Sequence, residues 1–310
     1  MPHGLRFFTM ILPNQPWPEL LRRYRHLEQL GFDLAAFADH FVDWTGGKGH
    51  WFECFSLLTA VAAHTSRIRL GAYVAQIPLR NPALLAHQAL TIDHVSNGRL
   101  ELGLGLGLPT DPSYAMMGLP NWSNRERVAR FPEYVQLVDR LLRHDVTTYH
   151  GRHYQADAAV TQPRPVQQPR PPLVIAAMGP IMLRHAAQYA DTWNSISFAD
   201  TFDAQLKETR ERTRQIDEHC AKIGRDPATL RRSYLMLDVQ ARRSRGPVNY
   251  YASKQAFADM VQQVVELGVS DIGLYYPVRD DEVVRFETIA TQVIPELKRE
   301  FTAIEGRRNN

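Results

Sequence analysis

Short strand-like apolar runs alternate with longer amphipathic segments along the whole chain, and this alternation constrains the fold more than any other feature. Residues 5–12 form the first β-like run, and residues 17–30 have the spacing of an amphipathic helix that ends at Gly31. Seven further pairs follow the same pattern. Their predicted strands and helices are 34–38 and 53–64, 69–75 and 82–96, 100–107 and 125–143, 173–177 and 180–189, 192–195 and 203–223, 231–239 and 253–267, and 271–276 and 281–305.

Alternating strands and helices imply a parallel sheet, and eight units with no linker between them favour a closed barrel over an open sheet. The 310 residues are enough to bury the core of such a barrel as one domain, 1–310. We therefore predict an α/β fold, a (β/α)8 TIM barrel with insertion segments. The irregular stretches are these insertions: 108–124 after strand 4, 144–172 before strand 5, 198–201 after strand 6 and 240–252 after strand 7.

The charge and composition exclude several classes of protein. A net charge of +3 from 36 basic and 33 acidic residues, without a basic stripe, argues against a nucleic-acid partner. No apolar run approaches the ~18 residues of a membrane span, and the first residues do not resemble a signal peptide, so we expect a cytoplasmic protein without a membrane partner. Cys54 and Cys220 are too few for a disulfide framework and are expected to be inert thiols.

The sequence carries few signs of metal or serine-nucleophile chemistry. It has no His-Glu-x-x-His motif and no cysteine pair, and its 12 histidines show no ligand spacing beyond His87 and His94. The Gly-x-Ser-x-Gly turn of serine hydrolases is missing too. We expect neither a metal site nor a serine nucleophile.

A histidine and an aspartate stand together at the end of predicted strand 2. The active sites of such barrels lie at the carboxyl ends of the strands, where Asp39-His40 is followed by Trp44 and a glycine-rich turn at 46–50. A histidine in this position can act as a general acid or base near neutral pH, with Asp39 orienting the imidazole or contacting the edge of a bound ring. The alternatives are a structural or surface role for His40 and a loop-capping role for Asp39.

Predicted strand 4 has an unusual alternation of leucine and glycine. Leucines at every second position alternate with Glu101, Gly103, Gly105 and Gly107, so the leucines share one face and the glycines the other. If the glycines face the barrel interior, they leave room for a flat cofactor ring, although a crowded core is the alternative. A dinucleotide-binding Gly-x-Gly-x-x-Gly motif is excluded because Leu108 occupies the third glycine position.

The end of predicted strand 5 has the composition of a phosphate-binding turn. Small residues run from Ala176 to Gly179, and a helix is predicted to begin at Pro180. The backbone amides at a helix start and its positive dipole end favour phosphate groups. This signal is weak alone, because many strand-to-helix turns have a similar composition.

Three parts of the sequence together resemble the bacterial luciferase-like family of flavin-dependent oxidoreductases. They are 38–41; 80–88 with 93–100 and 103–107; and 169–194, the last two being the most specific. The resemblance covers nearly the whole chain. It implies a barrel that holds a reduced flavin or the deazaflavin coenzyme F-420 across the strand ends.

The resemblance also implies roles for particular residues. The non-proline cis peptide of the family falls at Tyr73-Val74, and His40 and Trp44 match active-site groups of the deazaflavin-dependent sugar-phosphate dehydrogenase branch. Leu108 replaces the catalytic glutamate of that branch, which argues against the same sugar-phosphate reaction. Leu106 replaces the arginine with which luciferase holds the flavin phosphate. The cofactor residues implied are Tyr73, Val74, Gly105, Gly107 and the phosphate turn Ala176, Ala177, Met178, Gly179, Pro180 and Ile181.

The cofactor interpretation leaves three functions open. Arginines greatly outnumber lysines, a composition typical of high-GC genomes, whose hosts often make the deazaflavin. With His40 and Trp44, this favours deazaflavin-dependent hydride transfer, in which His40 moves the accompanying proton. The first alternative is an FMN-dependent monooxygenase supplied by a separate flavin reductase. The second is a family member that has lost cofactor binding and acts as a structural or binding protein.

The substrate and the oligomeric state are less defined by the sequence. Met116, Met117 and Trp122 favour an apolar small-molecule substrate or, alternatively, packing within their loop. The family commonly forms dimers through the outer helices of units 2 and 3. Apolar residues around helix 53–64 fit a homodimer of this kind; they are Phe52, Phe55, Leu57, Leu58 and Val61.

Overall fold

The strands predicted from the sequence form a closed barrel. The computed structural model describes residues 3–44, 48–236, 248–277 and 279–308. The strands are β1 (Arg6–Ile11), β2 (Leu34–Phe37), β3 (Arg69–Gln76), β4 (Leu100–Gly105), β5 (Val146–His150), β6 (Gln155–Val160), β7 (Leu173–Ala176), β8 (Thr192–Ile196), β9 (Arg231–Leu235) and β10 (Asp271–Tyr275). The barrel has the parallel order β1-β10-β9-β8-β7-β4-β3-β2, and β5 and β6 form a separate antiparallel pair.

Helices follow the barrel strands as the alternation predicts. They are α1 (Trp17–Leu30), α2 (Cys54–His64), α3 (Pro82–Val95), α4 (Ser113–Met116), α5 (Asn124–Arg143), α6 (Pro180–Tyr189), α7 (Phe202–Lys222), α8 (Lys254–Glu266), α9 (Asp280–Thr288) and α10 (Ile294–Arg308). A π-helical turn, Ile289–Val293, joins the last two. None of the helices in the described ranges is long and apolar enough to cross a membrane.

The eight-unit barrel prediction is confirmed, but two of the stretches treated as irregular contain regular structure. The hairpin β5–β6 lies within 144–172, and the short helix α4 lies within 108–124. The hairpin was missed because most side chains of β6 are exposed, so the strand has no buried face to produce an alternating hydrophobic pattern. Residues 240–247 of the last insertion lie outside the described ranges.

Contacts between residues divide the chain into two compact units. The first comprises Met1–Met10, His26–Ala35 and Ala177–Asn310. Its strands carry large buried aromatic side chains such as Phe7 and Trp193, and Arg6 on β1 donates to Asp271 on β10 at 3.2 Å from Nε to Oδ1.

The second unit comprises Ile11–Arg25 and Ala36–Ala176. Its core includes Tyr24 stacked on Phe37, with 4.6 Å between ring centroids. Most of the apolar side chains on and next to α2 are also buried. Phe55, Leu57, Leu58 and Val61 are buried within the chain, whereas Phe52 is 38% exposed, so the argument for a dimer from this helix is wrong for four of its five residues.

The glycine face of β4 is covered by the neighbouring strand β3. The pairing of β3 with β4 shifts register between Ala72 and Ala75, which marks a bulge at Tyr73 and Val74. A Cβ atom added to Gly103 would overlap the carbonyl oxygen of Ala72, and one added to Gly105 would overlap Val74. The expectation that these glycines leave empty space for a cofactor ring is therefore wrong, because the bulge fills the space.

Gly107, just beyond β4, is required for two reasons. Its φ of +69° lies in the left-handed region that side chains other than glycine rarely adopt. An added Cβ would also overlap the side-chain oxygens of Gln76 and Tyr114. Gly107 therefore leaves room for the polar side chains of Gln76 and Tyr114.

We predict that Gly103→Ala lowers the free energy of unfolding by about 2–3 kcal/mol, because the added methyl group has to displace the backbone of β3. Denaturant unfolding followed by circular dichroism measures this change. Gly4→Ala is the control, since nothing lies within 4 Å of its added Cβ. Equal stability of the two variants would contradict the close packing of β3 on β4.

Candidate active site

His40 is paired with a carboxylate that lies far away in the sequence. Its Nδ1 is 2.6 Å from Oδ2 of Asp111, which follows β4 in the segment leading to α4. The Asp111 side chain is fully buried, whereas the imidazole is 18% exposed. This hydrogen bond holds the Nδ1 edge of the imidazole. The other ring nitrogen, Nε2, has no hydrogen-bond partner among the described residues.

The predicted pairing of Asp39 with His40 is wrong. Asp39 accepts a hydrogen bond from the backbone N–H of Gln76 at 3.0 Å and forms a close ion pair with Arg80. His40 instead pairs with Asp111, so the two neighbouring side chains have different partners. Burial raises the pKa of Asp39, and the Arg80 guanidinium opposes that shift.

Asp111 is stabilised as a carboxylate by several donors. Burial alone would raise its pKa, but hydrogen bonds from His40, Ser113 and Gln76 hold the pKa well below its usual range. The Ser113 backbone N–H donates to Oδ1 at 2.8 Å, and Gln76 Nε2 donates to Oδ2 at 2.9 Å. Asp111 is therefore an ionised acceptor for the imidazole N–H.

Two tryptophans frame the imidazole. Trp44 stacks on it with 6.4 Å between ring centroids and 26° between the planes, so the structure brings together two of the predicted catalytic residues. Trp51 meets the ring edge-on at 6.1 Å and donates from Nε1 to the His40 carbonyl at 2.7 Å. Residues 46 and 47 of the glycine-rich turn lie outside the described ranges.

The predicted cofactor residues on β3 and β4 lie side by side. The Tyr73-Val74 peptide bond is cis, as the family resemblance implies. The Tyr73 hydroxyl donates to Glu101 Oε2 at 3.2 Å, and a Cβ on Gly105 would lie 3.7 Å from the Cβ of Ala176. The cofactor-binding roles of Tyr73, Val74, Gly105, Gly107 and Ala176 stay predictions.

The predicted phosphate turn leads into α6 in the first unit. Ala177 is anchored by its N–H to Asn194 O at 3.0 Å, and its carbonyl accepts from Trp193 Nε1 at 2.9 Å. Gly179 is the N-cap, without a side-chain cap, at φ −89°, and nothing lies within 4 Å of an added Cβ. Together with the exposure of Met178 and Ile181, this leaves the helix start open to an anion.

The predicted substrate residues do not pack under their loop. Met116 and Met117 are 58% and 41% exposed, and Trp122 is covered by the Arg130 guanidinium at 4.2 Å from the ring centroid. In the described ranges, no group of three or more His, Cys, Asp or Glu side chains could hold a metal ion.

Sequence reasoning missed several members of this site, namely Asp111, Gln76, Tyr114, Trp51 and Arg80. Asp111-Pro112-Ser113 is typical of a turn in which the aspartate caps the following residues, and it does so here through Ser113. That local signal does not reveal a partner separated from it by 71 residues. The other four carry no local signal for a role beside an active site.

The chain is similar to deazaflavin-dependent enzymes in both sequence and fold. It is 34% identical over 175 residues to the F420-dependent glucose-6-phosphate dehydrogenase of Intrasporangium calvum, which covers 56% of this chain and 52% of that protein. The chain thus matches about half the length of such curated relatives.

The solved structures with a similar fold include two deazaflavin-dependent enzymes. An F420-dependent secondary alcohol dehydrogenase in complex with an F420-acetone adduct has a TM-score of 0.80 at 17% identity, with 95% of this chain and 99% of that chain covered. The F420-dependent tetrahydromethanopterin reductase from Methanopyrus kandleri has a TM-score of 0.77 at 19% identity, with the same coverage.

A sequence model of one protein family matches most of the chain. It is described as luciferase-like monooxygenase, and the match spans residues 5–264, which include the His40–Asp111 pair and the α6 turn. The chain therefore belongs to the luciferase-like monooxygenase family.

Proposed function

We propose that this protein is a deazaflavin-dependent oxidoreductase that transfers a hydride between a small organic alcohol or carbonyl compound and coenzyme F-420. The single observation that carries the proposal is the His40–Asp111 pair, with Nδ1 bound to a buried carboxylate. Alcohol oxidation releases a hydroxyl proton, and a positioned imidazole can accept it. The deazaflavin enzymes among the similar proteins support this choice of cofactor.

The residues of the pair divide the proton chemistry between them. Asp111 accepts the N–H at Nδ1, so Nε2 carries the lone pair that takes the hydroxyl proton of the substrate. The imidazolium so formed is stabilised by the adjacent carboxylate, as in other carboxylate–histidine pairs. In the reverse direction, the same Nε2 returns the proton to the alkoxide oxygen. Trp44 limits the movement of the ring by stacking on it.

The turn before α6 fits the phosphate of such a cofactor. It offers an uncapped helix start at Gly179 and an exposed surface at Met178 and Ile181. When bound, the deazaflavin supplies a two-electron carrier that accepts or donates a hydride. The protein then has to hold the ring, orient the substrate and move one proton.

A second candidate is an FMN-dependent monooxygenase that receives reduced flavin from a separate reductase. The description of the matching family as luciferase-like monooxygenase favours it. Fluorescence titration with oxidised and reduced forms of both cofactors distinguishes the two, because the proposal requires tighter binding of the deazaflavin.

We further propose that the protein is a cytoplasmic, single-domain homodimer, and the family resemblance supports the dimer. Light scattering at micromolar concentration tests the dimer. A mass near the 35.4 kDa of one chain would contradict it.

Replacing His40 by glutamine is expected to lower turnover by about 10²- to 10⁴-fold and to leave deazaflavin affinity unchanged, because the amide cannot take up a proton at neutral pH. Stopped-flow reduction of the cofactor and fluorescence titration measure the two quantities separately. His87→Gln on α3 is the matched control, since His87 is exposed. Parent-like turnover of His40→Gln would overturn the assigned role and favour the monooxygenase.

The variant Gly179→Val is expected to bind the deazaflavin at least 10-fold more weakly while keeping the parent Tm. Its backbone φ of −89° suits valine, and nothing lies within 4 Å of the new Cβ, so the fold tolerates the side chain. The branched side chain would instead occupy the space in front of the helix start. Unchanged affinity in a folded Gly179→Val variant would show that the cofactor phosphate does not bind at this turn.

A further inference from the structure

A buried arginine stands at one end of a chain of hydrogen bonds that reaches His40. Arg127 on α5 is fully buried, and its Nη1 donates to the Leu106 carbonyl at 2.7 Å and to the Tyr114 hydroxyl oxygen at 3.0 Å. A guanidinium has donors only, so the Tyr114 oxygen accepts in this contact. The single hydroxyl hydrogen of Tyr114 is then left for its other neighbour, Oε1 of Gln76.

The amide of Gln76 therefore has one orientation. Its Oε1 faces the Tyr114 hydroxyl, and its Nε2 lies 2.6 Å from the Asp39 carbonyl oxygen and 2.9 Å from Asp111 Oδ2. Both of these oxygens can only accept, and the amide has two hydrogens to give. The Tyr114 hydroxyl donor and the two acceptors, Asp39 O and Asp111 Oδ2, therefore require one and the same orientation of the amide.

Asp111 decides which nitrogen of His40 carries the proton, and the oriented amide holds Asp111 in place by donating to its Oδ2. Gln76 Nε2 also lies 3.1 Å from His40 Nδ1, but both of its hydrogens are used on Asp39 and Asp111. Nδ1 therefore receives no hydrogen bond from the amide. It carries its own hydrogen and donates it to Asp111 at 2.6 Å.

We propose that Arg127 and Tyr114 are positioning residues that, through the amide of Gln76, hold His40 in the tautomer with hydrogen on Nδ1 and a lone pair on Nε2. The effect of this tautomer on catalysis rests on the proposed function, in which Nε2 of His40 is the base. The tautomer itself is a property of the protein without any cofactor. It is therefore measured directly.

The test removes one oxygen atom from the chain. In Tyr114→Phe, Gln76 Oε1 loses its donor, so the amide is no longer held in the orientation that donates to Asp111 Oδ2. Without that hydrogen bond the carboxylate is held less firmly against Nδ1, which weakens the preference for hydrogen on Nδ1. Side-chain ¹⁵N shifts of histidine-labelled protein, at a pH where imidazoles are neutral, report the two tautomers. The His40 signals are assigned by their loss in His40→Gln.

The control is Tyr24→Phe, which removes a hydroxyl from a tyrosine that is equally buried and takes no part in the chain of hydrogen bonds. We expect Tyr114→Phe to move both His40 nitrogen shifts toward an average of the two tautomers, and Tyr24→Phe to leave them as in the parent. A second variant, Gln76→Met, removes the next link and is expected to give the same change. If the His40 nitrogen shifts of folded Tyr114→Phe or folded Gln76→Met equal those of the parent, the proposal is overturned.

Kinetics separate this inference from the proposed function. With an active parent enzyme, Tyr114→Phe is expected to lower kcat by about 10-fold with little change in KM, the size of effect of losing one hydrogen bond near a charged group. If the tautomer changes but the parent transfers no hydride to the deazaflavin, the proposed function fails and the positioning role stands. If the parent is active and the tautomer is unchanged, the positioning role fails alone.

Discussion

The close approach of β3 to the glycine face of β4 is the constraint on which the rest of the second unit depends. The bulge at Tyr73 and Val74 occupies the space beside Gly103 and Gly105, so these positions cannot carry a side chain without displacing β3. Beyond the bulge, Gln76 pairs with Gly105, and its backbone N–H reaches Asp39. The register shift thus determines where Gln76 stands, and Gln76 in turn contacts both carboxylates of the site.

The two aspartates near His40 show how burial is balanced in different ways. Asp39 is neutralised by a direct ion pair with Arg80, which is mostly buried. Among the described residues, Asp111 forms no ion pair with an arginine, and its hydrogen bonds come from a backbone N–H, an amide and the imidazole. Hydrogen bonds to a buried carboxylate offset its loss of hydration. The two carboxylates are thus stabilised differently, Asp39 by a permanent positive charge and Asp111 by hydrogen bonds.

The sequence is sufficient to predict the barrel, because each buried strand and each amphipathic helix has a period that can be recognised within a few residues. It is also sufficient to place His40 and Trp44 together and, through the family resemblance, to identify Tyr73-Val74. The sequence does not show that the β3 bulge covers the glycine face of β4. The alternation of leucine and glycine indicates where side chains are missing, but it does not indicate which part of the protein fills that space. The Asp111 pairing could not be predicted, since it depends on how the segment after β4 returns to the end of β2.

Asp111, Ser113 and Tyr114 lie within four consecutive positions of the segment that follows β4, and each makes a separate hydrogen bond to the His40 region. Changing the length of this segment by a single residue before Pro112 would disengage all three together. Transplanting the corresponding segment of a relative into this scaffold therefore requires the matching residues at positions 76 and 127 as well. Laboratory evolution is better directed at the loops after other strands, where the sequence can vary without disrupting the hydrogen bonds around His40.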